Sequence, residues 1–245
     1  MTEIIQPNSS FTTQEVISIS WKFVKKYFWT IVVLFLISII PNAVDTLFNL
    51  ILQSIPGATI MVTDPFTNLP TVEPVWMWAY LVSVVSIVTG VAWAWLGLGF
   101  VRANLQILQD KKPPYSIMTS TPWIRVARLI GGGILVAWAV MIGIIALILP
   151  GIWIAVRLSL FQYYIAEGYG AIDAMKASWA ATRGNFWKLL GLGFIYVGIV
   201  LLGILALGVW LFVAIPMVML AQAYVYVLLK KNTPAHIVPV MEKIV

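Results

Sequence analysis

Six long apolar runs constrain this chain more than any other feature. They cover residues 27–53, 75–101, 126–149, 152–166, 186–207 and 209–229. About 20 apolar residues are enough to cross a bilayer as an α-helix. Only 10% of the residues are charged, whereas a soluble domain carries roughly 25%. We therefore predict an all-α fold: a polytopic membrane helical bundle with six transmembrane helices in three hairpins, forming one domain over residues 1–245.

Turn-forming residues separate the two runs of each hairpin. Residues 54–74 are rich in Pro, Gly and Thr, and residues 149–151 read Leu-Pro-Gly. A single helix over 126–166 would be about 60 Å long, roughly twice the thickness of a bilayer core. We therefore predict a tight turn at Pro150 and Gly151, a loop over 54–74, and a bend at Gly208.

Basic residues mark one end of every predicted hairpin. Of the 15 Lys and Arg residues, all except Arg157 lie in four segments: 22–26, 102–128, 176–188 and 230–243. The three turns within the hairpins contain none. By the positive-inside rule, the basic segments and both termini face the cytoplasm, which predicts an integral protein of the cytoplasmic membrane. Since Glu3 and Glu15 precede the first run and no small-residue cleavage site follows it, we expect an uncleaved first span.

Two amphipathic segments precede spans on the basic side, and we predict interfacial helices over 13–26 and 170–185. Thr12 and Glu15 have the spacing of a capping box, which predicts where the first helix begins. The basic and aromatic residues either anchor these helices at the membrane surface or recognise anionic lipid headgroups. The headgroup candidates are Lys22, Lys25, Lys26, Lys176, Trp179, Arg183, Trp187 and Lys188.

A short pattern introduces both the first and the fifth span. Ser-Trp at 20–21 is followed by Phe-Trp at 28–29, and the same pairs recur with the same separation at 178–179 and 186–187. This is typical of a parallel internal repeat. A shared need for aromatic residues at the membrane interface gives the same pattern.

Arg157 is the one basic residue outside the four segments. Seven residues past the predicted turn, it should lie about 10 Å into the membrane. A charge there costs on the order of 3 kcal/mol unless it is paired or hydrated, so we predict a buried partner. Asp45 is the first candidate, and the neutral alternatives are Asn42, Asn49, Gln53 and the backbone carbonyls freed by Pro41 or Pro150. Arg157 then either fixes helix packing or binds a ligand, a lipid phosphate or an ion.

The sequence contains no recognisable catalytic or metal-binding pattern. There is no HExxH, GxSxG, Walker loop or close pair of carboxylates, and the chain has no Cys and one His. We therefore predict no catalytic residue, no metal and no cofactor. We identify no polar repeat of the kind expected for an ion pathway. Glu167, at the end of the fourth span, is a binding candidate and is expected to pair with a neighbouring Lys or Arg.

One stretch resembles a known family. The segments 148–160, 164–168 and 171–179 carry a Pro-Gly-Ile turn, an Arg-Leu-Ser segment, a Glu-Gly pair and an amphipathic helix with Lys, Ser and Trp. They resemble the superfamily of the glycerophosphodiester phosphodiesterase membrane domain and related stand-alone, uncharacterised prokaryotic membrane proteins. The residues that fit its pattern are Arg157, Glu167, Gly168, Lys176, Ser178, Trp179, Phe186, Trp187 and Lys188.

This resemblance implies a prokaryotic membrane and a lipid-related setting, and no activity. The hydrolytic residues of such phosphodiesterases belong to a separate soluble barrel, and nothing in this sequence resembles one. We predict a non-catalytic membrane protein that acts as a lipid-handling module, a scaffold or a partner subunit. The alternative is a small transporter or channel for an amphipathic or anionic solute. Membrane lipids are the expected partners, together with a membrane or cytoplasmic protein and without nucleic acid.

Overall fold

The computed structural model describes residues 11–64, 66–67, 69–205 and 210–233. Within these ranges the fold is all-α, as predicted, and six helical stretches are long and apolar enough to cross a membrane. The helices are α1 (Thr13–Lys26), α2 (Phe28–Ser54), α3 (Trp76–Leu108), α4 (Trp123–Ala146), α5 (Ile148–Leu158), α6 (Phe161–Glu167), α7 (Ala171–Ala181), α8 (Phe186–Leu205) and α9 (Leu211–Leu229).

The spans form three antiparallel hairpins. The rings of Phe35 in α2 and Phe100 in α3 lie 6.2 Å apart. Gly143 of α4 and Gly151 of α5 pack so closely that a side chain at either position would meet the other helix. Helices α8 and α9 form the third hairpin. The predicted bend at Gly208 lies outside the described residues, as do the predicted end of the fifth span, the start of the sixth and most of the basic tail.

The turn between α4 and α5 differs from the prediction. The chain turns at Leu147, which is extended with φ −167° and ψ 144°, and α5 begins at the next residue. Pro150 lies in the first turn of α5, where a proline removes no intrahelical hydrogen bond. The Pro-Gly pattern therefore correctly predicted a connection between α4 and α5, but placed it about one helical turn too far along the chain.

The fourth span is not one continuous helix. It ends as α5 at Leu158 and resumes as α6 at Phe161. By contrast, α2 continues through Pro41, and α3 extends to Leu108, seven residues beyond its predicted end. Those extra residues are helical because Ala103, Ile107 and Leu108 bury apolar side chains in the core.

The loop between α2 and α3 contains a two-stranded antiparallel hairpin. Strand β1 (Thr59–Thr63) pairs with β2 (Pro70–Pro74), with Met61 opposite Val72. Between them, one carboxylate oxygen of Asp64 accepts the backbone N–H groups of Phe66 and Thr67, each at 2.8 Å. The Thr- and Val-rich stretches flanking that turn were predicted as loop because periodicity over five residues is a weak signal.

Buried side chains concentrate at the basic ends of the hairpins. The core contains the C-terminal halves of α3 and α9, most of α6, and one face each of α1 and α7. The two amphipathic helices thus bury their apolar faces in the bundle. Helix α1 begins where predicted, since the Thr12 hydroxyl accepts the Glu15 N–H at 3.3 Å, whereas α7 is shorter than its predicted 170–185. The opposite halves of the spans expose large apolar side chains.

The two copies of the repeated pattern have matching geometry. Phe28 and Phe186 each begin a span, and each forms an edge-to-face pair with the following Trp, at 5.4 and 5.2 Å between ring centroids. Ser20 and Ser178 are both fully buried. Helices α1–α2–α3 and α7–α8–α9 therefore follow the same order of amphipathic helix, span and span.

Candidate anion-binding site around Arg157

The break between α5 and α6 positions the candidate site. A helix break within a membrane span frees backbone groups that need partners. The Ser178 hydroxyl accepts the Leu160 N–H at 3.2 Å and donates to the Arg157 carbonyl at 2.8 Å. The Gln222 side-chain amide donates to the Ser159 carbonyl at 3.0 Å. These bonds tie the break to α7 and α9 and fix the end of α5.

Arg157 lies on the last turn of α5, between two tryptophan rings. Its guanidinium carbon is 5.2 Å from the Trp153 ring centroid and 5.6 Å from that of Trp179. One Nη donates to the Trp179 carbonyl at 3.3 Å, and the Nε is buried without a hydrogen-bond partner. Contact with the face of an aromatic ring stabilises a cation and limits its orientation. The guanidinium is thus held in place with donor capacity left over.

Among the described residues, no carboxylate neutralises this guanidinium. The salt bridges found there join Lys26 to Asp110 and Lys230 to Glu167. The charge that acts on Arg157 is that of another cation, Arg183. Two neighbouring arginines with no acid between them attract an anion, and the planar guanidinium suits phosphate or carboxylate oxygens.

An apolar depression lies beside the arginine. Leu149, Pro150, Trp153 and Phe186 line an open cavity of about 400 Å³ between α5 and α8. Trp153 therefore contributes to both features, with its ring against Arg157 and its edge in the depression. A ligand with an anionic head and an apolar tail matches this combination.

The predicted pairing of Arg157 with Asp45 is wrong. Asp45 lies on α2, where one carboxylate oxygen accepts the hydroxyls of Ser86 at 2.9 Å and Thr89 at 3.3 Å, both on α3. The aromatic and carbonyl partners on α7 could not be identified from the sequence, because they reach Arg157 only through the break at 159–160. None of the predicted neutral alternatives is the observed partner: Arg157 donates to the Trp179 carbonyl, which is not one of the carbonyls freed by Pro41 or Pro150.

Glu167 pairs with a basic residue, as expected. It forms a salt bridge with Lys230 at the end of α9, which joins the fourth and sixth spans at their basic ends. Gly168 follows in the left-handed conformation, with φ 105°, and caps α6. Glu167 lies at the end of α6 and pairs with a residue of another span. These contacts fully explain a structural role for it.

The headgroup candidates lie in two groups. On α7 and the start of α8, the exposed candidates are Lys176, Arg183, Trp187 and Lys188. Trp179 is part of the Arg157 site, whereas the Lys188 ammonium lies 5.4 Å from the Phe11 ring centroid, next to α1. On α1, Lys22 and Lys25 are exposed, the Lys25 ammonium lying 5.2 Å from the Trp21 ring centroid. Lys26 is engaged by Asp110. Of these candidates, the structure therefore brings Trp179 and Arg183 to the site.

Three further arginines make contacts that the sequence did not predict. One Nη of Arg102 lies 3.3 Å from the Ser120 hydroxyl and 3.2 Å from that of Thr121. Arg125 and Arg128 donate to the carbonyls of Ala166 and Gly168 at the end of α6. Arg125 and Arg128 thus cap the C-terminal end of α6, a role that depends on the packing of α4 against α6.

The described residues contain no group of three or more His, Asp or Glu side chains that could hold a metal ion.

A search of curated proteins and a search of solved structures each find no match. The family comparison matches residues 116–241, slightly more than half of the chain, and this segment includes the whole Arg157 site. The chain therefore belongs to the family described as a domain of unknown function, DUF7847.

Proposed function

We propose that this protein is a non-catalytic lipid-handling module that binds anionic phospholipids. The lipid phosphate lies against Arg157 and Arg183, and an acyl chain occupies the depression formed by Leu149, Trp153 and Phe186. The observation that carries the proposal is the Arg157 guanidinium, which is fixed between two rings and has a buried Nε with no acceptor in the described part of the chain.

The chemistry of a phospholipid accounts for both parts of the site. Its phosphate offers anionic oxygens to two arginines that share no carboxylate, and each basic residue near an anionic surface contributes about 1 kcal/mol of attraction. The exposed basic residues on α7 and α8 add to that field. The resemblance in the segment 148–190 implies a lipid-related setting as well, which agrees with the proposed ligand class.

The test is native mass spectrometry of the detergent-purified protein with added phosphatidylglycerol or phosphatidylcholine. We expect wild type to retain phosphatidylglycerol in preference to phosphatidylcholine, and Arg157→Gln to lose that preference. The matched control is Lys231→Gln, which removes an equal charge at an exposed position outside the site. Inorganic phosphate as competitor separates recognition of the headgroup alone from recognition of the whole lipid.

Two outcomes contradict the proposal. One is an equal preference for phosphatidylglycerol in wild type and a folded Arg157→Gln protein. The other is a loss of preference as large in Lys231→Gln as in Arg157→Gln, because that would assign the binding to net charge. Retention of a stoichiometric protein partner without lipid would favour the scaffold or subunit function instead.

Transport of a small anionic or amphipathic solute is the second candidate. A cavity of about 250 Å³ lies between α5, α8 and α9, and Ser159, Tyr196 and Gln222 contribute its polar groups. The Tyr196 hydroxyl is buried and has no hydrogen-bond partner. Uptake of an anionic solute by reconstituted vesicles that is lost in Tyr196→Phe and Arg157→Gln would favour transport over lipid binding.

A further inference from the structure

The second half of α2 has two unlike faces. Its polar residues follow Asn42 at spacings of three, four, seven and eleven residues, which places all of them on one face of the helix. They are Asn42, Asp45, Thr46, Asn49 and Gln53. On the opposite face, Ile40, Val44, Leu47 and Ile51 are exposed. This polar face follows one side of a span and is not the kind of polar repeat expected for an ion pathway.

Helix α3 contributes to the same polar face. The hydroxyls of Ser86 and Thr89 donate to Asp45 across the hairpin, and Ser83 lies one turn away on α3 and is exposed. The polar groups therefore form a strip that follows both helices of the first hairpin. From Asn42 to Gln53 it is about 16 Å long at 1.5 Å per residue.

This strip is open in a single copy of the chain. Asn42, Thr46, Gln53 and Ser86 are exposed, and among the described residues no hydrogen bond reaches the Asn42 side-chain amide. Exposed apolar residues continue beyond Asp45 on both helices, at Leu50 and Ile51 of α2 and at Leu81 and Val84 of α3. The strip therefore lies within the apolar surface that contacts lipid. The Thr46 hydroxyl and the Asn49 amide donate to carbonyls of α2 itself, so among the described residues it is the exposed Asn42 and Gln53 side chains that have no hydrogen bond. Such groups are costly in lipid.

We infer that this polar strip is the surface through which two copies of the chain associate. Asn, Gln, Ser and Thr each carry both donors and acceptors, so the strip is complementary to itself in a twofold arrangement. Side chains of these types hydrogen-bond across helices in membranes. The association buries the polar face and leaves the apolar face of α2 toward lipid.

Two other occupants fit less well. A cation would find one carboxylate, Asp45, and the described residues provide no cluster of acidic side chains around it. A water-filled path along the strip would need a second wall, because the strip is an open surface in one copy. Both alternatives differ from a dimer in one testable respect, because only a dimer places the strip of a second copy against the first.

Cysteine cross-linking in native membranes tests the inference, and the chain has no Cys of its own. We expect oxidation of Asn42→Cys and of Thr46→Cys to produce disulfide-linked homodimers. The matched controls are Val44→Cys and Leu47→Cys, which lie on the opposite face of the same helix and are expected to produce none. Diluting the labelled protein with an excess of the Cys-free chain should lower the dimer yield in proportion, which identifies the partner as this chain.

Three results would overturn the inference. The first is an absence of disulfide at both polar positions. The second is equal cross-linking at all four positions, which indicates random collision. The third is cross-linking only to a protein of another mass. Counting photobleaching steps of fluorescently labelled, Cys-free protein in dilute vesicles gives an independent answer, with two steps expected for a dimer and one for a monomer. Neither readout depends on the proposed lipid binding at Arg157.

Discussion

At the residue scale, the candidate site depends on one guanidinium that lies between the Trp153 and Trp179 rings. The sequence identified Arg157 because it is the single basic residue outside the four basic segments. It could not identify the partners, since Trp179 is 22 positions away and reaches Arg157 only because Ser178 binds the broken backbone. The position of a charged residue along the chain is visible in the sequence, whereas the groups that it contacts depend on how the helices pack.

Replacing Arg157 by Lys tests whether the site needs the guanidinium or only a positive charge. Lysine keeps the charge, loses the Nε and the planar fork, and stacks less well on tryptophan. We expect Arg157→Lys to weaken phosphatidylglycerol retention about tenfold, equivalent to about 1.4 kcal/mol. Retention would be measured by native mass spectrometry against Arg157→Gln. Full retention in the Lys variant would show that charge alone is sufficient.

Ser178 makes a second prediction at this scale. Its fully buried hydroxyl accepts from Leu160 and donates to the carbonyl of Arg157. The Thr182 hydroxyl also donates to the Arg157 carbonyl, at 3.3 Å, so the substitution leaves the Leu160 N–H as the unsatisfied group. Leaving one buried backbone group unsatisfied costs about 1–3 kcal/mol. We expect Ser178→Ala to lower the midpoint of thermal unfolding in detergent. Ser18→Ala is the control, because the Ser18 hydroxyl makes one local bond at an exposed position. Equal midpoints for the two variants would contradict the role of Ser178.

At the element scale, span positions were predictable and close approaches were not. Apolar runs located every described span to within a few residues at its start, because the length needed to cross a bilayer leaves little freedom. The extension of α3 to Leu108, the break in the fourth span and the β1–β2 hairpin depend on contacts with other elements. Such contacts have no signature within a single run.

Two glycines of α3 differ in how closely another part of the chain approaches them, so one is a control for the other. A Cβ at Gly99 would lie 2.6 Å from both the Cα and the carbonyl oxygen of Met118, whereas a Cβ at Gly97 would meet nothing within 4 Å. Backbone cannot yield as a flexible side chain can. We expect Gly99→Ala to destabilise the protein by about 1–3 kcal/mol and Gly97→Ala to be neutral or stabilising. Thermal unfolding in detergent measures both, and equal effects would contradict the packing argument.

The Lys26–Asp110 pair joins the end of α1 to the loop after α3. Its hydrogen bond with Lys26 lowers the pKa of Asp110, and the same bond raises the pKa of Lys26. The pair therefore contributes fully between the unfolded values of about 3.9 and 10.4. The Asp110 contribution is lost as pH falls through its lowered folded pKa, and the Lys26 contribution is lost as pH rises through its raised folded pKa.

We expect Asp110→Asn to lower the unfolding midpoint near pH 7 by a small amount, since both groups are exposed and water screens them. The variant suits the site because Asp110 has φ 60°, a conformation that Asn also tolerates. The difference from wild type should shrink at acidic pH and in high salt. A difference that is independent of both would show that the ion pair is not its cause.

At the scale of the whole molecule, the hairpins meet at their basic ends and separate at their other ends. Charge placement predicted that these ends lie on one side, and Lys230 with Glu167 and Lys26 with Asp110 connect them there. The sequence did not predict that α1 and α7 would bury one face each within that layer. Amphipathicity is the same for a helix on lipid and a helix on protein, so the pattern cannot distinguish them.

Orientation is the last prediction, and it follows from the side on which the positive charges lie. All basic residues except Arg157 lie in segments at one end of the hairpins, so we expect this end to be cytoplasmic. In the Cys-free chain, Lys231→Cys should react with an impermeant maleimide only after the membrane is opened. Phe66→Cys, at the exposed tip of the β1–β2 hairpin, should react in intact cells. Because Arg157 contacts Trp179 in the basic segment 176–188, the structure places it toward the basic end rather than near the outer turn. The reverse pattern would therefore place the Arg157 site nearer the outer leaflet and would require its phospholipid to come from that side.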